Sequence, residues 1–385
     1  MKRARRMALP AVVAFSGACD AGSAGSGQST LSLVETLAGA DTAGYARAIE
    51  PRPFDFPEDH GPHPAFRTEW WYATGNLTAN DGRDFGFQLT IFRSALAPEA
   101  PDTESRWGTN QAYMAHFTVT DVAGREFHAF ERFARGAVGL AGAESEPLRV
   151  WLEDWTLEGS TGETFPLRLS AAEGPVALRL ELRSEKPVVL QGDRGLSRKG
   201  PEPGNASYYY AFTRLAASGE LVTDGEALEV SGTAWLDREW STSALSEGQV
   251  GWDWFALQLD DGWDLMIYRL RHADGGAAPL SVGALIDPSG ERVPLVWGRD
   301  VTMESTGTWS SPVDGAEYPS GWRIQVPARG WSLTVEPVIP DQELALAFRY
   351  WEGAVRVGGR GEGGAAVIGR GYVELTGYAG DAPER

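Results

Sequence analysis

From Pro51 onward the chain alternates apolar and polar residues in short runs, separated by Asp-Gly, Asn-Asp-Gly, Ser-Gly and Pro-Ser-Gly turns. Period-two alternation places successive side chains on opposite faces of a strand, so each run predicts a half-buried β-strand. Regular turns between such runs predict a sandwich or a barrel. Two hairpins stand out. Glu69 to Leu77 and Phe85 to Phe92 flank Asn80-Asp81-Gly82, while Trp252 to Leu259 and Trp263 to Leu270 flank Asp261-Gly262. Trp71-Tyr72-Ala73 matches Trp254-Phe255-Ala256, and the segment 81–85 matches 261–265. A following strand, Ala115 to Gly124, parallels Ser281 to Gly290, both ending in Asp-x-x-Gly. Recurrence in the same order points to a duplicated domain, with one copy over residues 51–244 and the other over 245–385. The predicted fold class is all-β, with two tandem antiparallel β-barrels, since closure removes the strand edges of domains this size.

The first fifty residues follow other rules. Lys2, Arg3, Arg5 and Arg6 precede a short apolar run, Met7 to Phe15, and then the small residues Ser16, Gly17 and Ala18. That order reads as a signal peptide over residues 1–18, with an apolar run too short to cross a bilayer. Cys19, the single cysteine, sits where bacterial lipoproteins carry their acylated thiol, although Ser16 stands where that pattern has Leu. The two readings are a lipid anchor at Cys19 and an ordinary leader with an incidental cysteine. Residues 20–32 form a Gly/Ser/Ala tether, and Leu33 to Ile49 shows weak helical character with Asp41 as N-cap. An exported protein of the periplasm or outer envelope, held to the membrane by its lipid, is the expectation.

Composition narrows the function. A formal charge of −19 argues against nucleic acid as a partner. Fifteen tryptophans suit strands and pocket walls, and so an apolar small-molecule ligand. One cysteine permits no intramolecular disulfide. There is no Gly-x-Ser-x-Gly elbow for a serine hydrolase. The glycines 358, 359, 361, 363 and 364 read as a hairpin loop rather than a phosphate cradle, because no helix follows.

Candidate chemistry gathers on one strand. Alternation puts Trp235, Asp237 and Glu239 on one face, with Leu236, Arg238 and Trp240 on the other. Carboxyl groups roughly 7 Å apart beside indole rings cannot both ionise cheaply when buried, which leaves a proton available near neutral pH. The competing reading pairs Asp237 and Glu239 with arginines at a barrel rim. His60, His63, His116 and Glu69 offer donors for a metal. Their spacing lacks a helical metal-binding register, and no metal and no cofactor is expected. His60 and His63 are read as closing the pocket mouth, and His116 as a buried group satisfied by Glu69 or a tyrosine. Trp252, Trp254 and Trp263 are read as core of the second domain.

Several motifs together resemble a known family. His60-Gly61-Pro62-His63, Thr68-Glu69-Trp70-Trp71-Tyr72 with Thr74-Gly75, Met114 to Phe117, Trp235 to Trp240, Gly251 to Phe255 and Gly369 to Tyr378 resemble the AttH-like "predicted secreted hydrolases". These are lipocalin-like relatives of carotenoid 1,2-hydratase. The resemblance covers about residue 50 to 378. It implies two lipocalin-like domains and export, and in the carotenoid branch it implies water addition across an isoprenoid double bond. The acid of that branch matches Asp237, two positions after Trp235. Tyr208 and Tyr210 stand where that branch places a His and a Trp. The resulting expectation is a hydratase-like or isomerising catalyst on an apolar, isoprenoid-like ligand. Asp237 would donate the proton, with Glu239 its partner, and His60, His63 and Tyr208 would orient the ligand. Trp70, Trp71, Trp235, Trp240, Tyr208, Tyr210, Glu69 and His116 would line the site. The alternatives are a non-catalytic lipid carrier of the envelope and a secreted hydrolase.

Overall fold

The computed structural model describes residues 42–242, 245–246 and 248–379. The expected leader, the tether and Cys19 lie outside the described residues. The helix expected over Leu33 to Ile49 is absent from its described part, 42–49, which is a turn followed by extended chain. Gly44 takes a φ of 83° there, which stops helical winding. This segment folds back onto the barrel, with the Tyr45 hydroxyl donating to the Ala95 carbonyl at 2.9 Å.

The alternating runs form antiparallel strands, and no α-helix occurs among the described residues. A thirteen-stranded sheet spans residues 68–241 and a ten-stranded sheet spans 249–375. The first curls into a nearly closed barrel around a core of leucines, phenylalanines and Trp155. The second curves over its own core, which includes Trp322, Trp331 and Trp351. Strand order repeats between the two. In the first sheet Glu126–Arg135, Gln111–Asp121, Asp84–Ala95, Thr68–Ala79, Glu226–Ser241 and Ala206–Thr223 lie side by side. In the second, Arg292–Val296, Val282–Ile286, Asp264–His272, Gln249–Leu259, Ala366–Leu375 and Arg349–Arg360 follow the same sequence. The expected hairpin loop after Gly358 is the turn joining Arg349–Arg360 to Ala366–Leu375.

The two hairpins are equivalent, but not in the alignment that the tryptophans suggest. Gly82 and Gly262 both have a φ of 90°, and the amides of Ala79 and Leu259 each bond across their turn at 2.8 Å. Counting back from these turns, Tyr72 corresponds to Trp252 and Thr74 to Trp254. Trp71 therefore faces the first core, whereas Trp254 faces out of the second. The shared Trp-aromatic-Ala is accidental and the shared Asp-Gly turn is structural.

Outer faces of the two sheets pack against each other. Tyr72, Tyr209, Trp235, Trp254, Met266 and Tyr372 form an apolar layer between them. Polar ties flank this layer. Asp264 of the second sheet takes Lys186 at 2.7 Å, Arg214 at 2.6 Å and the Thr213 hydroxyl at 2.8 Å from the first. Gly86 meets Ala354 so closely that a Cβ on it would lie 2.6 Å from the alanine methyl. Gly86→Ala is expected to cost about 1–3 kcal/mol, the usual range for overpacking. Urea unfolding checks this, and an unchanged midpoint would show that the sheets are not in firm contact there.

Candidate active site

The two faces of three adjacent strands carry two different constellations. Glu226–Ser241 lies between Thr68–Ala79 and Ala206–Thr223. Residues directly opposite in antiparallel strands share a face. Trp71 is paired with Arg238, Glu69 with Trp240, Tyr210 with Arg238 and Tyr208 with Trp240. All of these point into the first barrel. Tyr72 and Ala211 are paired with Asp237, and Trp70 and Tyr209 with Glu239. These point outward, toward the second sheet.

The inward face is a buried ionic clamp. Glu69 has no exposure and receives hydrogen bonds from Arg93, Arg238 and the His63 amide. Burial alone would raise its pKa, but Arg238 and Arg93 hold the carboxyl well below the usual range. Arg238 also donates to the Gly61 carbonyl at 2.5 Å and lies 3.9 Å from the Trp71 ring centre. His63 stacks on Trp240 at 3.7 Å and bonds Asp59 at 2.9 Å. His60 bonds the Tyr210 hydroxyl at 2.6 Å, and burial lowers its pKa to about 4, which keeps it neutral. The His60 to His63 loop therefore seals one end of the barrel.

This placement corrects several expectations. His60, His63, Glu69, Trp71, Tyr208, Tyr210 and Trp240 belong to the clamp and its core, not to a ligand pocket. The reason is register: Tyr209, between the two expected tyrosines, is the one that shares the face of Asp237. His116 lies on the outer face instead, bonded to the Tyr350 hydroxyl at 2.7 Å, and burial pushes its pKa down to about 3. The tyrosine partner expected for it is present. The four donors considered for a metal are thus split between two faces.

The outward face opens on a cavity between the sheets. The first sheet contributes Trp70, Tyr72, Phe92, Tyr209, Asp237 and Glu239. Lys199 enters from a flanking loop, and the second sheet adds Trp252, Trp254, Tyr268, Tyr350 and Glu374. Trp252 and Trp254 are thus pocket wall rather than core, while Trp263 packs on Trp331 as expected. Sequence reasoning found Asp237, Glu239 and Trp70. It missed Tyr209, Lys199 and Glu374, whose only signals were alternation from a register not yet known.

Within the cavity Asp237 is fixed from both sides. The Trp235 indole donates to it at 2.6 Å and the Tyr209 hydroxyl at 2.7 Å. Trp254 in turn donates to the Tyr209 oxygen at 3.3 Å. Burial pushes the Asp237 pKa up to about 8, against the two hydrogen bonds and with help from Glu239. Glu239 pairs with Lys199 at 3.0 Å, and the ammonium lies 4.1 Å from the Tyr268 ring centre. The indole N–H of Trp252 reaches Glu374 at 3.2 Å. Burial also raises Glu374 to about 8, helped by Asp237 and Glu239. No histidine lines the cavity among the described residues. Its Thr68 and Ser241 hydroxyls donate to backbone carbonyls.

The AttH-like family matches residues 47–378. This chain belongs to the AttH-like family. A solved protein assigned as AttH from Nitrosomonas europaea is 36% identical, with a TM-score of 0.75 over 86% of this chain and 99% of that one. Kievitone hydratase from Nectria haematococca is 14% identical, with a TM-score of 0.67 over 87% of this chain and 97% of that one. CghA is 15% identical, with a TM-score of 0.54 over 86% and 96%. The latter two likenesses establish a shared fold for this AttH-like protein. A comparison with curated proteins found no match.

Two consequences follow for stability. Glu69→Ala leaves Arg93 and Arg238 buried without a counter-charge and is expected to cost about 3–5 kcal/mol, measured by chemical denaturation; a loss below about 1 kcal/mol would be the range of a surface pair and would mean the clamp is solvated. Asp237 has a folded pKa raised above its ordinary 3.8. Its contribution to stability is whole below that value and is lost as pH rises toward about 8, because only the unfolded chain ionises in that window. Asp237→Asn lacks this loss, so its melting temperature should gain on the wild type between pH 4 and pH 8. A difference that stays constant with pH would mean that Asp237 ionises normally.

Proposed function

We propose that this protein protonates a carbon–carbon double bond of an apolar, unsaturated ligand held between its two sheets, leading to hydration or isomerisation. The observation that carries the reading is a neutral carboxyl, Asp237, aimed into an aromatic cavity and anchored by Trp235 and Tyr209. A pure carrier has no use for a desolvated acid at its ligand. An alkene is a poor base, so its protonation needs an acid that keeps its proton at working pH and stands in fixed register with the bond. Burial supplies the first requirement and the two hydrogen bonds the second.

Protonation leaves a carbocation. Indole and phenol faces attract a cation through their ring quadrupoles, and Trp70, Trp252, Trp254 and Tyr268 present such rings to the cavity. Capture of the cation by water gives an alcohol, and loss of a neighbouring proton gives a rearranged alkene. An isoprenoid or other lipid-like chain fits the apolar walls. Likeness to kievitone hydratase agrees with water addition, although at 14% identity it speaks for the fold alone. A serine-type hydrolase has no support here, since no histidine lines the cavity among the described residues.

Purified protein incubated with acyclic isoprenoid alcohols in heavy-oxygen water tests the reading. Hydrated product carrying the label is expected, with kcat/KM falling about tenfold per pH unit above about pH 8 as Asp237 ionises. Asp237→Asn should lose about 100- to 10,000-fold in rate while binding the apolar probe nearly as well. Binding without turnover in both proteins would favour a carrier. Turnover that survives Asp237→Asn would remove the acid assignment.

A further inference from the structure

Adding water to a cation requires a second group, because the attacking water must lose a proton after its oxygen bonds to carbon. The cavity has three carboxyl groups. Asp237 is the donor in the reading above. Glu239 is held in an ion pair with Lys199 at 3.0 Å. Among the described residues Glu374 has no counter-ion, and its hydrogen bond comes from the neutral indole of Trp252 at 3.2 Å.

Glu374 lines the same cavity from the second sheet, near enough to Asp237 for the two charges to interact. It sits on Ala366–Leu375 directly opposite Trp254 of the neighbouring strand, and the Trp254 indole donates to Tyr209, which holds Asp237. On its other side Glu374 is directly opposite Glu352. Groups so paired have Cβ atoms about 4.5–5.5 Å apart. Glu352 has no exposure; Tyr72 donates to one of its oxygens, while the other has no partner among the described residues. Burial and the nearby Glu374 raise Glu352 well above the usual carboxyl range. Neutral Glu352 thus leaves Glu374, which meets the cavity, as the group of this pair that can ionise.

We propose that Glu374 is the proton acceptor for the water that adds to the ligand, so that the acid comes from the first sheet and the base from the second. This rests on the reading of Asp237 as donor. In the step, the Asp237 O–H bond breaks and a C–H bond forms at one alkene carbon. The water oxygen bonds to the other carbon, and its proton passes to the Glu374 carboxylate. The net change is addition of one water, with a proton moved from Asp237 to Glu374; water in the cavity returns it. The working state holds one proton between the two carboxyls, as expected where two acids face one poorly solvated space. The groups facing Glu374 are Asp237, Glu239 with Lys199, Glu352, and the phenols of Tyr72, Tyr268 and Tyr350.

Carbon NMR of protein labelled at its aspartate and glutamate carboxyls tests this without a substrate. Asp237 and Glu374 should titrate as a coupled pair in two separated steps. Glu374→Gln should collapse them to one step and move Asp237 downward by on the order of 1 pH unit, since a like charge is removed. Glu352→Gln removes no charge, because burial already holds that carboxyl well above the usual range, so it should leave both steps nearly in place, a second variant that touches neither partner of the pair. An Asp237 titration indifferent to Glu374→Gln would overturn the proposal while leaving Asp237 as an acid. Asp237 already ionised at neutral pH would instead overturn the parent reading. With a turned-over isoprenoid probe, Glu374→Gln should shift products from labelled alcohol toward rearranged alkene. An unchanged product ratio would count against Glu374 as acceptor.

Discussion

Glu69, buried between Arg93 and Arg238, is the interaction on which the rest of the molecule depends. A carboxylate without water is tolerated only when its charge is met and its oxygens are bonded. Here two guanidinium groups and the His63 amide meet that demand. The clamp ties three strands and the His60 to His63 loop together at one end of the barrel. Because Arg238 cannot leave the inward face, its neighbours Asp237 and Glu239 are committed to the outward one. One ion cluster thus fixes the register that delivers an acid to the opposite side of the sheet.

An outward face bearing Trp70, Tyr72, Tyr209, Trp235 and Asp237 is not one that water would cover well. The second sheet covers it. Its own outward face carries Trp252, Trp254, Tyr350 and Glu374, so the cavity exists only where two such faces meet. The second unit is consequently a full wall of the site, and half of the aromatic surface around Asp237 belongs to it. Keeping Asp237 neutral costs stability at neutral pH.

Much of this was legible in the sequence, for identifiable reasons. Strand and turn positions follow from alternation and from glycines such as Gly82 and Gly262, whose positive φ marks a turn locally. The faces of Asp237, Glu239 and Arg238 follow from period two alone. The Trp235-to-Trp240 and His60-to-His63 motifs carried the family likeness. What sequence could not supply was pairing between distant strands. Whether Tyr208 or Tyr209 accompanies Asp237 depends on the register of two strands, and a shift by one residue exchanges the faces. The same lack misplaced Trp254, which was matched to Trp71 by composition though it faces the other way. His60 and His63 were expected to orient a ligand at a pocket mouth, but in this fold they bond Tyr210 and Asp59 beside the clamp.

The account's central claim is that ligand and acid meet between the sheets, outside both barrel cores. A crystal structure of the protein soaked with an acyclic isoprenoid alcohol tests this most directly. The account predicts the alkene against the Asp237 carboxyl, flanked by Trp70 and Trp254, with the His60–Tyr210 bond undisturbed. Ligand lodged inside the first barrel beside His60 and Tyr210, with the cavity at Asp237 filled only by water, would contradict it.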